Sequence, residues 1–353
     1  MVVWTAQVAG ILVAAGPFTG DNAAGFAAPQ PGGNAVPVRA HCPHCITPCH
    51  VAEKHLGVPV RCHKCGQSFT VRPTSLTSKP PSTEPIPQTA GALRLEVAGV
   101  TSVGRERSRN EDSFLVQHLT WSDLNQNHQL ALVIVADGMG GHAGGGQAAK
   151  LALRTIGTTL AAQLTGALST QRREVTRAGL ADSIDSAMEE ANRVVHQAAA
   201  DEPRHKGMGA TAAVVVVWNG RVVIGHVGDC RVYHHHAGEL RQVTRDQTLV
   251  NRMVELGQLT PDEAARHPAS NQVLQAIGMR AGLEPARYKL KLVPGDCLLV
   301  ACDGLHGQVG ENSIESAVGR APASAALLAD RLVDMADRSG GADNCTVVAV
   351  RCY

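Results

Sequence analysis

Two kinds of hydrophobic spacing alternate along residues 93 to 353. Leu130 to Ala136 (LALVIVA) and Cys297 to Ala301 (CLLVA) are short and continuously apolar, which predicts strands buried on both faces. Ala212 to Trp218 and Arg221 to Val227 flank Asn219-Gly220. That dipeptide accepts positive φ at both turn positions, so the pair predicts an antiparallel hairpin. Between strands, Gln147 to Leu164 and Ser183 to Ala199 carry apolar residues at helical spacing, for instance Ile184, Met188, Ala191 and Val195. Helices thus alternate with hairpins and not with single crossover strands. The pattern predicts an α+β fold, an antiparallel sandwich covered by helices, and disfavours a doubly wound parallel sheet. No repeat at solenoid or propeller periods is visible.

The first 92 residues lack this patterning. Residues 1 to 40 are rich in Gly, Ala and Pro and predict a disordered extension. Residues 41 to 72 hold a Cys/His cluster, and residues 73 to 92 form a Pro/Ser/Thr-rich stretch whose composition suits a semi-extended linker. Val8 to Phe18 is mildly apolar, but no cationic segment precedes it and Gly10, Gly16 and Pro17 interrupt it, which argues against a signal peptide. No other stretch approaches the ~18 uninterrupted apolar residues of a spanning helix. A cytoplasmic protein with no membrane partner is the expectation.

Composition narrows the classes. With 353 residues, 44% of them hydrophobic and 18% charged, the chain can bury one large core and carry an appendage. A formal charge of +1 offers no whole-chain field for nucleic acid or an anionic membrane. Of the 10 cysteines, Cys42, Cys45, Cys49, Cys62 and Cys65 are clustered, whereas Cys230, Cys297, Cys302, Cys345 and Cys352 are scattered among apolar residues. That distribution suits thiolate metal ligands and small core residues better than a disulfide framework. Cys42-x-x-Cys45, sixteen intervening residues and Cys62-x-x-Cys65 have the spacing of a Cys₄ zinc ribbon holding one Zn²⁺. So short a segment must draw its folding free energy from the metal. Lys54, Arg61, Lys64 and Arg72 against Glu53 would permit weak nucleic-acid contact, but a solvated face is the plainer reading and protein docking the preferred role. His41, His44, Cys49, His50 and His63 read as surface or supporting residues.

The remaining candidate chemistry is acidic: Glu111-Asp112, Asp137-Gly138, Asp229, Asp303-Gly304 and Asp343-Asn344, several of them just after apolar strands. One such Asp is ordinarily a turn former. Five brought to one sheet edge would repel unless a hard divalent cation neutralised them, and oxygen-only ligation suits Mg²⁺ or Mn²⁺. Asp137-Gly138-Met139-Gly140-Gly141 lets the backbone approach an ion or phosphate closely, yet it is neither a Walker loop nor a dinucleotide turn.

Seven segments, in order, resemble the motif series of type 2C metal-dependent serine/threonine protein phosphatases. They are VGRERSRNEDSF (103 to 114), VADGMGGHAGG (135 to 145), GMGATAAV (207 to 214), GDCRVY (228 to 233), VTRDQTLV (243 to 250), CDGL (302 to 305) and GGADNCTVV (340 to 348). The resemblance spans essentially all of 93 to 353 and implies a four-layer αββα sandwich with a binuclear Mn²⁺ or Mg²⁺ centre at one sheet edge. It implies that Asp137 bridges both ions, that the Gly138 carbonyl, Asp303 and Asp343 complete them, and that Glu111 and Asp112 hold the centre directly or through water. Arg107 is then the phosphate-binding residue, and Asp229, with Asp303, matches a third-ion position. Two ions about 3.5–4 Å apart would turn a shared water into hydroxide for in-line attack on phosphorus.

The sequence also departs from the family pattern. Met139 stands where animal members carry His, so the proton for the leaving group falls to His142 or to water. Gly146, Cys230, Cys302 and Gln247 replace an acidic residue, two serines and a histidine, none of them a primary ligand. Asp246 to Gly278 contains a helical run, a break at Thr260-Pro261 and a second helix, matching either a flap beside the site or an ordinary helical insert. The implied partners are phosphorylated proteins, the products of Ser/Thr kinases. Two rivals are a pseudophosphatase that binds phosphoproteins as an adaptor and a nucleic-acid-binding regulator led by the ribbon; the retained Asp137, Asp303, Asp343 and Arg107 favour the enzyme.

Overall fold

A computed structural model describes residues 38–42, 45, 48–52, 55, 58–70, 93–123, 126–140, 144–169, 177–320 and 324–353. The chain divides into an N-terminal and a C-terminal unit. The expectation of disorder over residues 1 to 40 and the linker call at 73 to 92 lie almost wholly outside the described residues.

The N-terminal unit is two antiparallel hairpins. β1 (Val38–His41) pairs with β2 (Pro48–Val51), and β3 (Pro59–Arg61) pairs with β4 (Ser68–Thr70). Its apolar interior is minimal: among described residues only Val51, Cys42 and Cys62 are buried hydrophobics.

The C-terminal unit contains two five-stranded sheets, antiparallel throughout. One has the order β11 (Glu239–Gln242), β10 (Arg231–His236), β13 (Cys297–Ala301), β14 (Cys345–Cys352) and β5 (Leu95–Ser102). The other runs β12 (Ala286–Lys291), β9 (Arg221–Val227), β8 (Gly209–Trp218), β7 (Gln126–Met139) and β6 (Ser113–Asp123). Asn219 and Gly220 take φ of 46° and 76°, so the β8–β9 hairpin turns where the sequence predicts it.

Side-chain alternation explains why the central strands are apolar without a break. In β7, Leu130, Leu132, Ile134 and Ala136 face the helices α1 (Gly144–Ser169) and α2 (Arg177–Asp201), while Ala131, Val133 and Val135 face the other sheet. In β13, Leu299 and Ala301 face α6 (Glu311–Arg320) and α7 (Ala325–Arg338), while Leu298 and Val300 join the inter-sheet core. Each sheet therefore has two buried faces, giving the layers helix, sheet, sheet, helix. Neighbouring strands run in opposite directions, so the ends of β5, β7, β9 and β13 meet the starts of β6, β8, β10 and β14 at one edge. Every acidic residue singled out in the sequence sits at that edge, Asp137 in the last residues of β7 and the others in the connections between strands. Short helices α3 (Leu249–Glu255), α4 (Pro261–Ala265) and α5 (Asp303–His306) complete the fold. Thr260 caps α4 reciprocally with Glu263.

Candidate active site

A cleft of about 300 Å³ opens at this edge, lined by Arg107, Glu111, Asp137, Gly138, Asp229, Asp303 and Asp343, with Thr211, Asn271 and Val273 among its other walls. Asp112 is the one predicted metal residue of this unit that does not line it. It stands behind, its carboxylate oxygen, one of Asp137 and the Cys302 sulfur all lying within 4.8 Å of one another. Asp112 Oδ2 accepts from Thr346 Oγ1 (2.6 Å) and from Cys302 Sγ (3.2 Å). The Cys302 thiol stays protonated: contact with Cys345, burial and the nearby Asp112 all push it well up, so it serves as a donor.

Close backbone approach builds the floor. A side chain at Gly138 would collide with the Gly145 carbonyl at the start of α1, and one at Gly304 with the Asn344 carbonyl. Asn344 is the knot between chain segments. Its backbone N–H donates to Asp343 Oδ1 (2.8 Å), its Oδ1 accepts from Glu111 N (2.8 Å), and its Nδ2 donates to the carbonyls of Val103 and Arg109 (2.9 Å each). The loop bearing Arg107, Glu111 and Asp112 is thus pinned to the start of β14.

The electrostatics are those of crowded acids. Burial pushes Asp112 up to about 6, against its hydrogen bonds from Thr346 and Cys302, with Asp303 and Asp343 adding repulsion. Burial, then Asp303 and Asp246, push Asp229 up to about 7. Asp137 is raised well above the carboxylate range by burial and by Asp112 and Asp303, and Asp303 is raised chiefly by burial. Asp112 Oδ1 and Asp303 Oδ1 are buried with no hydrogen-bond partner. Orphaned anionic oxygens are costly, and a divalent cation satisfies them together. The donor set is all oxygen, so the residues fit Mn²⁺ or Mg²⁺.

Arg107 reaches Asp343 Oδ2 at 2.7 Å, with its side chain half exposed at the rim. Sequence reasoning placed the two beside each other in function but did not foresee this ion pair. His142, the candidate proton donor, lies outside the described residues. Asn271 and Val273 bring the segment after α4 to the cleft wall, the place expected of a flap. A neighbouring groove of about 750 Å³ shares Arg107, Asp229, Asp303 and Asp343 with the cleft and runs on to Val250, Val254 and Ala264 in α3 and α4.

Three supporting residues were missed. Thr211 hydrogen-bonds the Asp229 carboxylate and lies 3.2 Å from the Cys230 sulfur. His306 sits with Nε2 3.2 Å from the Asp229 carbonyl, and burial, then Arg231, push it down to about 3, so it is neutral and donates there. Gln247 Oε1 accepts from Gly228 N (3.0 Å), holding the turn before Asp229. Of the three, Gln247 alone had a sequence signal, as a departure from the resembled pattern.

In the N-terminal unit, Cys42, Cys45, Cys62 and Cys65 present sulfurs all within 4.8 Å of one another, none in a disulfide. Cys42 lies 3.6 Å from Cys65 and Cys45 3.6 Å from Cys62. A tetrahedron with Zn–S of about 2.3 Å has edges of about 3.8 Å, so the spacing fits zinc. Backbone N–H groups of Cys65 and Lys64 point at Cys62 and lower its thiol to about 6. Cys49, Cys62 and His63 form an overlapping group that shares Cys62.

Comparison with known proteins gives a consistent picture. The sequence profile described as Protein phosphatase 2C matches residues 101–340. The chain is 33% identical over 259 residues to protein phosphatase PhpP of Streptococcus pneumoniae, covering 72% of this chain and 97% of that protein. The Mycobacterium tuberculosis serine/threonine phosphatase PstP/Ppp superposes with a TM-score of 0.60 at 31% identity, covering 73% of this chain and 98% of that one. The catalytic domain of PstP in complex with two manganese ions superposes with a TM-score of 0.58 at 30% identity, covering 74% and 99%.

Proposed function

Because the chain belongs to the protein phosphatase 2C family, we infer that it hydrolyses phosphoserine and phosphothreonine in proteins with the help of a binuclear Mn²⁺ or Mg²⁺ centre. One observation carries this reading: carboxylates from three strand connections and from the end of β7 converge at one sheet edge, and Asp303 in the cleft and Asp112 behind it each carry a buried oxygen without a partner.

Asp137, Asp303 and Asp343, with the Gly138 carbonyl, are the residues to hold the two ions; Glu111 and Asp112 support them, and Asp229 with Asp303 offers an accessory position. When bound, the ions supply a water acidified enough to attack phosphorus near neutral pH and offset the charge of the carboxylates. The chain does the rest. Arg107 stands at the rim as a planar cation with one of its five N–H donors given to Asp343, and the others can grip phosphate oxygens and stabilise charge as it builds in the transition state. Asn344 and Gly138 hold the acidic loops in register, so little reorganisation accompanies the reaction. The departing serine or threonine oxygen takes its proton from His142 or from water. Phosphoprotein substrates lie across the groove toward α3 and α4.

Residues 93 to 353 constitute the phosphatase domain, and residues 41 to 72 a zinc ribbon in which Cys42, Cys45, Cys62 and Cys65 hold one Zn²⁺ and whose role is docking of a protein partner. Among the described residues no helix is long and apolar enough to cross a membrane. The absence of a disulfide among the described cysteines suits the reducing cytoplasm, where we place the protein. The test is hydrolysis of a phosphothreonine peptide and of p-nitrophenyl phosphate with and without Mn²⁺. Activity that appears with Mn²⁺ and disappears with EDTA supports the reading. A folded, Mn²⁺-loaded protein that binds the phosphopeptide without cleaving it is the adaptor instead.

A further inference from the structure

At the far end of the β10–β13 ladder from the cleft, three metal-ligating side chains converge on residues the phosphatase reading does not use. His234 and His236, two apart on β10, point to the same face and both meet Asp296, the residue before β13. His234 Nε2 lies 3.0 Å from Asp296 Oδ2, and His236 Nδ1 lies 2.7 Å from Asp296 Oδ1. The three ligand atoms fall within 4.8 Å of one another.

The cluster is held before any ion arrives. His234 is registered against Arg241 of β11 on one side and Leu298 of β13 on the other, and His236 against Glu239. Asp296 is 3% exposed, its Oδ2 accepts from Val293 N (3.0 Å), and its backbone carbonyl accepts from Cys352 N (3.0 Å). Although burial opposes it, the His236, Val293 and His234 hydrogen bonds keep the Asp296 carboxyl below its ordinary range, so it is an anion. The His236 side chain is 57% exposed, which leaves a way in from solvent. Ordering costs, the usual obstacle to a three-ligand site, have thus been met by the sheet.

We propose that His234, His236 and Asp296 form a second divalent-metal site, one that takes a borderline cation of the Zn²⁺ class and not the Mn²⁺ or Mg²⁺ of the cleft. Imidazole nitrogen prefers zinc, nickel and copper, whereas the all-oxygen cleft prefers hard ions. Two imidazoles and one carboxylate leave the fourth tetrahedral position to water. On binding, each neutral imidazole carries its proton on the outer ring nitrogen and gives the inner lone pair to the metal, so no net proton is released from the neutral form. Val293 N–H remains on the carboxylate as the outer support that fixes its orientation. The ion would clamp two strands that both lead to the cleft. β10 begins at Arg231, two residues after Asp229, and β13 ends at Ala301, two before Asp303. The distance along β10 from Arg231 to His236 is about 17 Å.

The experiment compares the zinc content of the full chain with that of His236→Gln after equilibrium dialysis against excess Zn²⁺, by inductively coupled plasma mass spectrometry. Zinc held by the cysteines or the cleft is common to both proteins and cancels. The wild type should hold one more equivalent, and Mn²⁺-dependent hydrolysis by the variant should match the wild type, which reports its folding. A second measurement needs no variant: crystals of the wild type soaked in Zn²⁺ should give an anomalous peak among His234, His236 and Asp296. Equal zinc content in a folded variant, or no peak at that position, overturns the proposal.

Discussion

The carboxylate cleft of the C-terminal unit and the four-cysteine cluster of the N-terminal unit are both suited to cations, but the surrounding protein stands in opposite relation to them. The cleft rides on the edge of two five-stranded sheets whose interiors are closed by three apolar clusters. Its acids sit where folding places them, although they repel. The cysteine cluster has two short hairpins and almost no apolar interior, so the sulfurs themselves are its core. In the first region the fold carries the metal site; in the second, on the zinc-ribbon reading proposed above, a metal would carry the fold.

Chelation should separate the two most sharply. With zinc and manganese both stripped, hydrogen exchange of the full chain should show loss of protection across residues 38 to 70 while the strands of 93 to 353 stay protected. Structural zinc contributes about 10–16 kcal/mol in comparable small modules. Persistent protection in the cysteine unit without zinc would break the comparison.

A pH series on the metal-free protein probes the cleft from the other side. Asp112 at about 6 and Asp229 at about 7 are raised above an unfolded carboxyl near 3.8. The folded state then binds more protons between those values, so stability is fullest below about pH 4 and declines as pH rises toward about 7. At about 1.4 kcal/mol per unit of displacement the decline for the two groups together is on the order of 7 kcal/mol. It should vanish with saturating Mn²⁺. Thermal denaturation across pH 4 to 8 measures it, and a metal-free stability that rises over that range contradicts the crowding.

Smaller effects test single residues. Arg107→Ala should lower kcat/KM for a phosphothreonine peptide about 100-fold, on the scale of losing one strong transition-state donor, and leave the metal-free melting temperature nearly unchanged because the Arg107–Asp343 pair is at the surface. Asn344→Ala should instead cost about 1–3 kcal/mol of stability by stranding Glu111 N and the carbonyls of Val103 and Arg109. Denaturant unfolding of both variants distinguishes a residue that acts on substrate from one that holds the loops.

What the sequence revealed follows the same division. Local signals were readable: Asn219-Gly220 marked its hairpin through backbone chemistry, and LALVIVA marked a strand buried on two faces through the absence of alternation. The acids were readable as a set because each follows or precedes a strand, and antiparallel order sends such connections to one edge. Contacts that depend on distant segments were not. Asn344 showed only as the neighbour of Asp343, since its partners lie 233 to 241 residues away. Nothing local betrayed that His306 would be driven neutral against Asp229, or that Arg107 would lie on Asp343. The cysteine spacing was legible because a tetrahedral ion needs two short knuckles and little else.

The most direct test of the central claim is a calorimetric Mn²⁺ titration paired with phosphate-release rates on the wild type, Asp303→Asn and Asp229→Asn. Asp303 carries one of the two orphaned oxygens, so its Asn variant should lose Mn²⁺ affinity and Mn²⁺-dependent hydrolysis by about 1,000-fold or more, a loss of several kcal/mol. Its metal-free melting temperature should hold or rise, because one repelling carboxylate has gone. Asp229→Asn should keep the two core ions and turn over more slowly. Full Mn²⁺-dependent activity in a folded Asp303→Asn protein would contradict the account.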